Sequence, residues 1–331
     1  MHILVTGWSG FIGRALLRRL VDRFGAASIV GLAREPANDA EAETERWARA
    51  AGVRLIRADL CDSPPSPESL PPVDLVFHLA ANIDTNAPPE QMTVNDTGTT
   101  HLLEWAAASL RGARVVYTSS VAVMDRNRPA SAPLDENGPC MPRTHYGRSK
   151  LRGEDIIRSA AGHYGFTYTI VRLPTVYGPG QKPGGMFDLL ARFVAEEALP
   201  SRLDWPGRTS IIFIDDLARV LVSLALSPAA ADQLICVAAD SPTVGGLTQA
   251  IAHALGKSRR VFPVPRWMWR LLRRAVWLPG LPRLVPAKAS VSFWRLSLIV
   301  DDGFWFDDRK FRLLFPEGLT PLEEGLRRTF R

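Results

Sequence analysis

Tyr146 and Lys150 stand four apart in "YGRSK", at the start of a helix predicted from about Tyr146 to His163. That spacing puts both on one face, one turn from each other. An ammonium beside a phenol favours the phenolate, which predicts a Tyr146 pKa lowered toward neutrality. Such a phenol can give or take a proton near pH 7. Tyr-x-x-x-Lys alone is common on helix surfaces, so the chemistry needs company. Upstream, "VVYTSS" ends a predicted strand with hydroxyls at Thr118, Ser119 and Ser120.

A third group lies near the start. "TGWSGFIG", Thr6 to Gly13, follows the apolar run Ile3-Leu4-Val5 and leads into a predicted helix. Unpaired backbone N–H groups and a positive helix end collect there, and a phosphate can come close only where side chains are absent. Gly7 makes the tight turn, Gly10 lets a pyrophosphate approach, and Gly13 lets helix and strand pack. A ligand-free glycine turn would look similar. The position after a first strand, ahead of alternating elements, favours dinucleotide binding. The second strand ends in "GLARE": Ala33 stands where an NAD site carries its carboxylate, and Arg34 follows. A guanidinium suits a ribose phosphate, so NADP(H) is preferred, with NAD(H) the alternative. Asp59, ending the third strand in "RADL", could reach the adenine amine or cap the next turn.

The elements that must position these residues alternate strand and helix. Strands are predicted at Ile3–Val5, Ser28–Leu32, Val53–Ala58, Val73–Leu79, Ala113–Tyr117 and Tyr168–Leu173, with helices between them, one running from Gln91 to Ala108. Ile211–Ile214 and Leu234–Ala238 read as a return to the sheet. The pattern predicts an α/β, Rossmann-type doubly wound parallel sheet with a smaller, discontinuous C-terminal substrate-binding cap. Residues 1–175 plus 211–239 form the dinucleotide-binding domain and 176–210 plus 240–331 the cap. The 331 residues are 46% hydrophobic and 22% charged, enough for a sizeable core. Three scattered cysteines suit a reducing cytoplasm, without disulfides or a metal centre. No targeting peptide or spanning segment is read.

Together these segments resemble the extended short-chain dehydrogenase/reductase family, the NAD(P)-dependent epimerase/dehydratase-like group. "HLAA" (His78 to Ala81), "VNDTGT" (Val94 to Thr99), "RLPTVYGPG" (Arg172 to Gly180) and "FIDDLA" (Phe213 to Ala218) join the motifs above in the family's order. The resemblance implies that Ser120 hydrogen-bonds a substrate oxygen, Tyr146 exchanges its proton, and Lys150 holds the nicotinamide ribose. It implies cofactor contacts from Gly7, Ser9, Gly10, Phe11 and Ile12 in the loop, and from Arg34, Asp59 and Leu60 beyond it. Leu79, Ala80, Ala81, Asn95, Pro174 and Val176 complete that set. Asn82, Val121, Thr175 and Arg208 would touch substrate. Homodimers are common in the family.

Sugar-nucleotide members carry Asn three residues after the arginine of the "RLPT" turn; this chain has Thr175 after Arg172. With "GLARE", that departure favours an exchangeable cofactor and a net carbonyl/alcohol reaction on a lipophilic or natural-product substrate. The alternative is a nucleotide-sugar epimerase, dehydratase or reductase. The net charge of +6 is local: from Ser241 to Val300 there are ten basic residues and no acid, and the rest of the chain nets −4. Residues 264–284 interleave tryptophans with arginines. Trp267, Leu271 and Leu278, with Met268, Leu272, Ala275 and Val276, make one helical face, and Arg266, Arg270, Arg273 and Arg274 lie largely on the other. The simplest expectation packs the apolar face onto the cap. A peripheral membrane contact is the second, and nucleic acid, with no motif beyond charge, is not expected.

Overall fold

The computed structural model describes residues 1–62, 70–124, 133–181, 183–276 and 305–331. Short β-branched runs form the strands and amphipathic runs the helices. In chain order these are β1 (Ile3–Thr6), α1 (Phe11–Phe24), β2 (Ile29–Ala33), α2 (Asp39–Ala50), β3 (Arg54–Arg57), β4 (Leu75–His78), α3 (Thr97–Ala106), β5 (Arg114–Ser120), α4 (His145–Tyr164) and β6 (Thr167–Leu173). There follow β7 (Thr175–Tyr177), α5 (Met186–Ala195), β8 (Ile211–Phe213), α6 (Ile214–Leu226), β9 (Gln233–Cys236), α7 (Val244–Ala254), α8 (Arg266–Val276) and the terminal helices Arg309–Leu314 and Leu322–Thr329.

Seven strands pair in the order β3-β2-β1-β4-β5-β6-β9, every pair parallel. Helices cover both faces, which is why β1 and β4 are buried along their whole length. On one face Leu16, Leu17 and Leu20 of α1 join Leu217, Val220 and Leu221 of α6. On the other, Leu102 and Leu103 of α3 and Ile157 of α4 pack with Tyr117. This is the expected Rossmann-type architecture.

Two expectations change. Ile211–Phe213 does not rejoin the main sheet; β8 pairs with β7 in a two-stranded sheet. Pro174 has no N–H to extend the β6 ladder, so the chain leaves the sheet there and the Thr175 N–H donates to the Ser210 carbonyl (3.2 Å). The helix expected over Gln91–Ala108 is broken as well. Pro89–Asn95 is a 3-10 segment, and α3 starts at Thr97 beneath an Asp96 carboxylate cap (2.8 Å). The break lets the Asn95 side chain turn into the interior. Late in the chain, Phe311 and Phe315 insert into the core under α6. Among the described residues no helix is long and apolar enough to cross a membrane. Leu278 and the remainder of 277–284 lie outside the described residues, as do the side chains of Leu272 to Val276.

Candidate active site

The strand order reverses between β1 and β4, which opens a crevice at the carboxyl edge of the sheet. Along that edge, strand by strand, stand Asp59 after β3, Arg34 after β2, Gly7 after β1, Leu79 after β4, Ser120 at the end of β5 and Pro174 after β6. Topology alone brings the expected cofactor and catalytic positions into one row.

The three glycines of the loop sit in different surroundings. Gly7 has φ +66°, and a Cβ there would lie 2.6 Å from the Ala80 nitrogen and 2.9 Å from the Leu79 carbonyl carbon. A Cβ on Gly13 would run into the Gly7 carbonyl and Trp8 backbone. Gly10 differs: its Cβ would meet only the Gly7 oxygen, at 3.4 Å, and otherwise open space. Gly10 is also the N-cap of α1, with no side chain capping the helix. Bare approach plus uncapped N–H groups fits a dinucleotide diphosphate. Ser9, Phe11 and Ile12 line the same turn, half-buried, with Phe11 and Ile12 leaning on the cluster that holds Tyr177 and Phe213. Arg14 reaches from α1 to the Gly180 carbonyl (2.9 Å) and ties the loop to the "GPG" turn.

At the far end, Arg34 is 56% exposed, with its only carboxylate neighbour, Glu41, at 3.9 Å. Glu35 is drawn away from it by Arg57 (2.9 Å). The position therefore presents an exposed guanidinium whose ion pair with Glu41 is long. The Asp59 carboxylate accepts the Cys61 N–H (2.9 Å), so it caps its own turn beside buried Leu60.

The catalytic corner is held from several sides. Thr144 caps α4 through the Gly147 N–H (3.0 Å), and Gly147 sits so close to the Ala122 carbonyl that no side chain would fit. The tyrosine turn thus rests on the segment just after Ser120. The Ser120 Oγ accepts the Ala122 N–H (3.1 Å), and its hydroxyl is hydrogen-bonded with Tyr146. Asn95 accepts the Asn82 N–H (2.7 Å) and donates to the Asn82 carbonyl and to Ser149 (both 2.9 Å). Its amide clamps the post-β4 loop onto α4. His78 is buried between Thr6 (2.7 Å) and Thr99 (2.9 Å), and burial, then Lys150, holds its pKa down at about 3. It is a neutral strut.

The expected depression of the tyrosine pKa is not found. Burial pushes Tyr146 up, with the Ser120 hydroxyl acting in the opposite direction. Lys150 faces elsewhere: its Nζ lies 4.1 Å from the centroid of the Tyr117 ring. Burial lowers Lys150 to about 7 against the opposing pull of Glu154. Desolvation outweighs the Ser120 hydroxyl at Tyr146 and the Glu154 charge at Lys150, and the lysine has no hydrogen-bond acceptor among the described residues. A buried cationic donor waiting for an acceptor fits ribose hydroxyls.

Sequence reasoning missed two groups here. Tyr117 carries Lys150 on its ring, and its own hydroxyl is buried without a partner. Glu154 receives Ser119 (2.6 Å), Arg172 (2.8 and 2.9 Å) and Arg158 (3.0 Å) in the interior. Its place four residues after Lys150 was the available signal. Of the expected substrate contacts, Val121 and Asn82 flank the corner and Thr175 begins β7. Arg208 is exposed, its guanidinium 5.5 Å from the Trp305 ring, and no contact joins it to Ser120 or Tyr146.

Known proteins share this plan. The UDP-glucose 4-epimerase of Mycolicibacterium smegmatis is 34% identical over 272 residues, covering 77% of this chain and 83% of its own. The ceramide reductase of Caulobacter vibrioides is 28% identical over 265 residues, 80% of this chain and 73% of its own. A Bacillus cereus UDP-glucuronic acid 4-epimerase variant, solved with NAD and a fluorinated substrate, superposes with a TM-score of 0.76 at 21% identity, covering 99% and 98% of the two chains. The sequence profile of the NAD dependent epimerase/dehydratase family matches residues 3–237, and the chain belongs to that family.

Proposed function

We propose that the protein oxidises or reduces a carbinol or carbonyl carbon of a nucleoside-diphosphate sugar, as an epimerase, dehydratase or reductase using NAD(P). The observation that carries it is Ser120, Tyr146 and Lys150 gathered on the edge where the bare Gly10 backbone opens the helix α1. The relative at 34% identity over most of both chains supports a sugar nucleotide better than the lipophilic substrate expected from sequence.

In this reading Gly7, Ser9, Gly10, Phe11 and Ile12 hold the diphosphate. Asp59 and Leu60 border the adenine, and Leu79, Ala80, Ala81, Asn95, Pro174 and Val176 the remaining length. When bound, the nicotinamide supplies or accepts the hydride. Ser120, hydrogen-bonded with Tyr146, also contacts the substrate oxygen. Tyr146 holds or takes the proton at its phenol oxygen. Lys150 would hold the ribose hydroxyls, which would favour its charged form. Asn82, Val121, Thr175 and Arg208 face the substrate, within a cap drawn from 176–210 and 240–331. Arg34, with no acid at Ala33, favours NADP(H).

The test pairs titration with turnover. NADP should bind more tightly than NAD, and a sugar nucleotide should be converted. Tyr146→Phe should lower kcat about 10²–10⁴-fold while leaving dinucleotide affinity nearly unchanged. Full activity in that variant would sink the reading. A second reading, reduction of a lipophilic carbonyl, is favoured by Thr175 in place of the expected asparagine and by the ceramide reductase likeness. Turnover of long-chain ketones with no sugar nucleotide consumed would select it.

A further inference from the structure

Helix α8 is seated by one face and shows its apolar face to solvent. Trp269 is 9% exposed, its ring 4.8 Å from that of Trp205, which in turn donates to the Pro200 carbonyl (2.8 Å). Trp267 and Leu271 are two residues to either side of Trp269 and four from each other. They share the opposite face, 60% and 54% exposed. Met268 adjoins them at 45%. The simplest expectation, with these side chains packed inward, is reversed. Three large apolar side chains at i, i+1 and i+4 of one helix adjoin and form a small exposed patch.

Charge identifies the occupant. Arg266 and Arg270 are exposed beside the patch, without an ion-pair partner among the described residues. Nearby acids are few: Glu197 is taken by Arg202 (3.3 Å), Asp204 is exposed, and Ser241 to Val300 holds none. A nucleic-acid grip would centre on arginines, whereas here Trp, Met and Leu are central and arginines marginal. That arrangement matches the headgroup zone of a bilayer, with indole and aliphatic groups submerged and guanidinium groups on phosphates.

We infer that the face of α8 carrying Trp267, Met268 and Leu271 docks on an anionic phospholipid surface. The inference goes beyond the proposed activity and does not depend on it.

Vesicle co-sedimentation of the full chain tests it, using phosphatidylglycerol–phosphatidylcholine against phosphatidylcholine alone. Binding should favour the anionic vesicles. The double variant Trp267→Ser/Leu271→Ser should lose at least tenfold in partitioning and keep dinucleotide affinity. Arg266→Gln and Arg270→Gln should each cost about fivefold on anionic vesicles only, as expected for about 1 kcal/mol per surface cation. Three outcomes overturn it: no binding to anionic vesicles, equal binding by the double variant, or duplex DNA captured in preference to vesicles. If residues 277–304 or a second copy covers this face, wild type will leave the vesicles in solution, which counts against the inference in the same way.

Discussion

The corner under α4 and the helix α8 solve opposite problems. Around α4, polar groups are buried and almost all are spoken for: Asn95 bonds Asn82 and Ser149, and Glu154 gathers Ser119, Arg158 and Arg172. On α8 one tryptophan faces inward while Trp267, Leu271 and two arginines face water. The first region cannot move without leaving a charge or a donor unpaired. The second has little to lose by meeting something else. In the readings proposed above, precise chemistry falls to the over-determined part and recognition to the under-determined one.

The largest break in that contrast is at Glu154. Its side chain is fully buried and its carboxylate carries two arginines, one of them, Arg172, almost completely enclosed. Arg172 and its neighbours hold the Glu154 pKa down against the burial that would raise it. Glu154→Gln leaves the Arg172 charge without its counter-ion, and breaking a buried pair of this kind costs about 3–5 kcal/mol. Chemical denaturation should show a loss in that range. Converting both members, Glu154→Leu with Arg172→Met, should recover much of it. A single variant as stable as wild type would mean that the corner is not pinned by charge.

How much of this could be read in advance follows the same division. The sheet, the glycine loop and the row Ser120, Tyr146 and Lys150 were legible, because strand periodicity and motif order are local features of sequence. The β7–β8 pair was not. Ile211–Phe213 looks like any buried strand, and only Pro174 hints that the sixth ladder stops where it does. Nor was the state of Lys150: spacing placed it beside Tyr146, but the ring of Tyr117 and the degree of burial arise from packing between distant segments. On α8 the helical period was right and the inward face was wrong. Trp269 was absent from the expected stripe, yet it is the residue that docks. An amphipathic pattern says which side chains share a face, not which face the body of the protein occupies.

Substitution on α8 sharpens the comparison at smaller scale. Trp269→Ala removes a nearly buried indole packed at a tilt against Trp205 and should cost about 2–3 kcal/mol, somewhat less than a full core tryptophan because the helix can settle. Trp267→Ala, on the opposite side of the same turn, should stay within about 0.5 kcal/mol of wild type, as surface changes usually do. Equal losses would mean that the outer face is packed in solution.

A further effect has the opposite sign. Tyr117 is wholly buried, and its hydroxyl lies hard against Gly153 of α4 with no partner. Burial drives its pKa far upward, so the group stays neutral and takes no part in proton transfer. An unsatisfied buried hydroxyl costs stability, and the ring alone suffices to carry the Lys150 ammonium. Tyr117→Phe should therefore stabilise the protein by about 1 kcal/mol and leave kcat unchanged. Should it instead depress activity, the hydroxyl must acquire a partner when dinucleotide or substrate enters, and the one loose group in the pinned corner would be part of the reaction rather than a residue of packing.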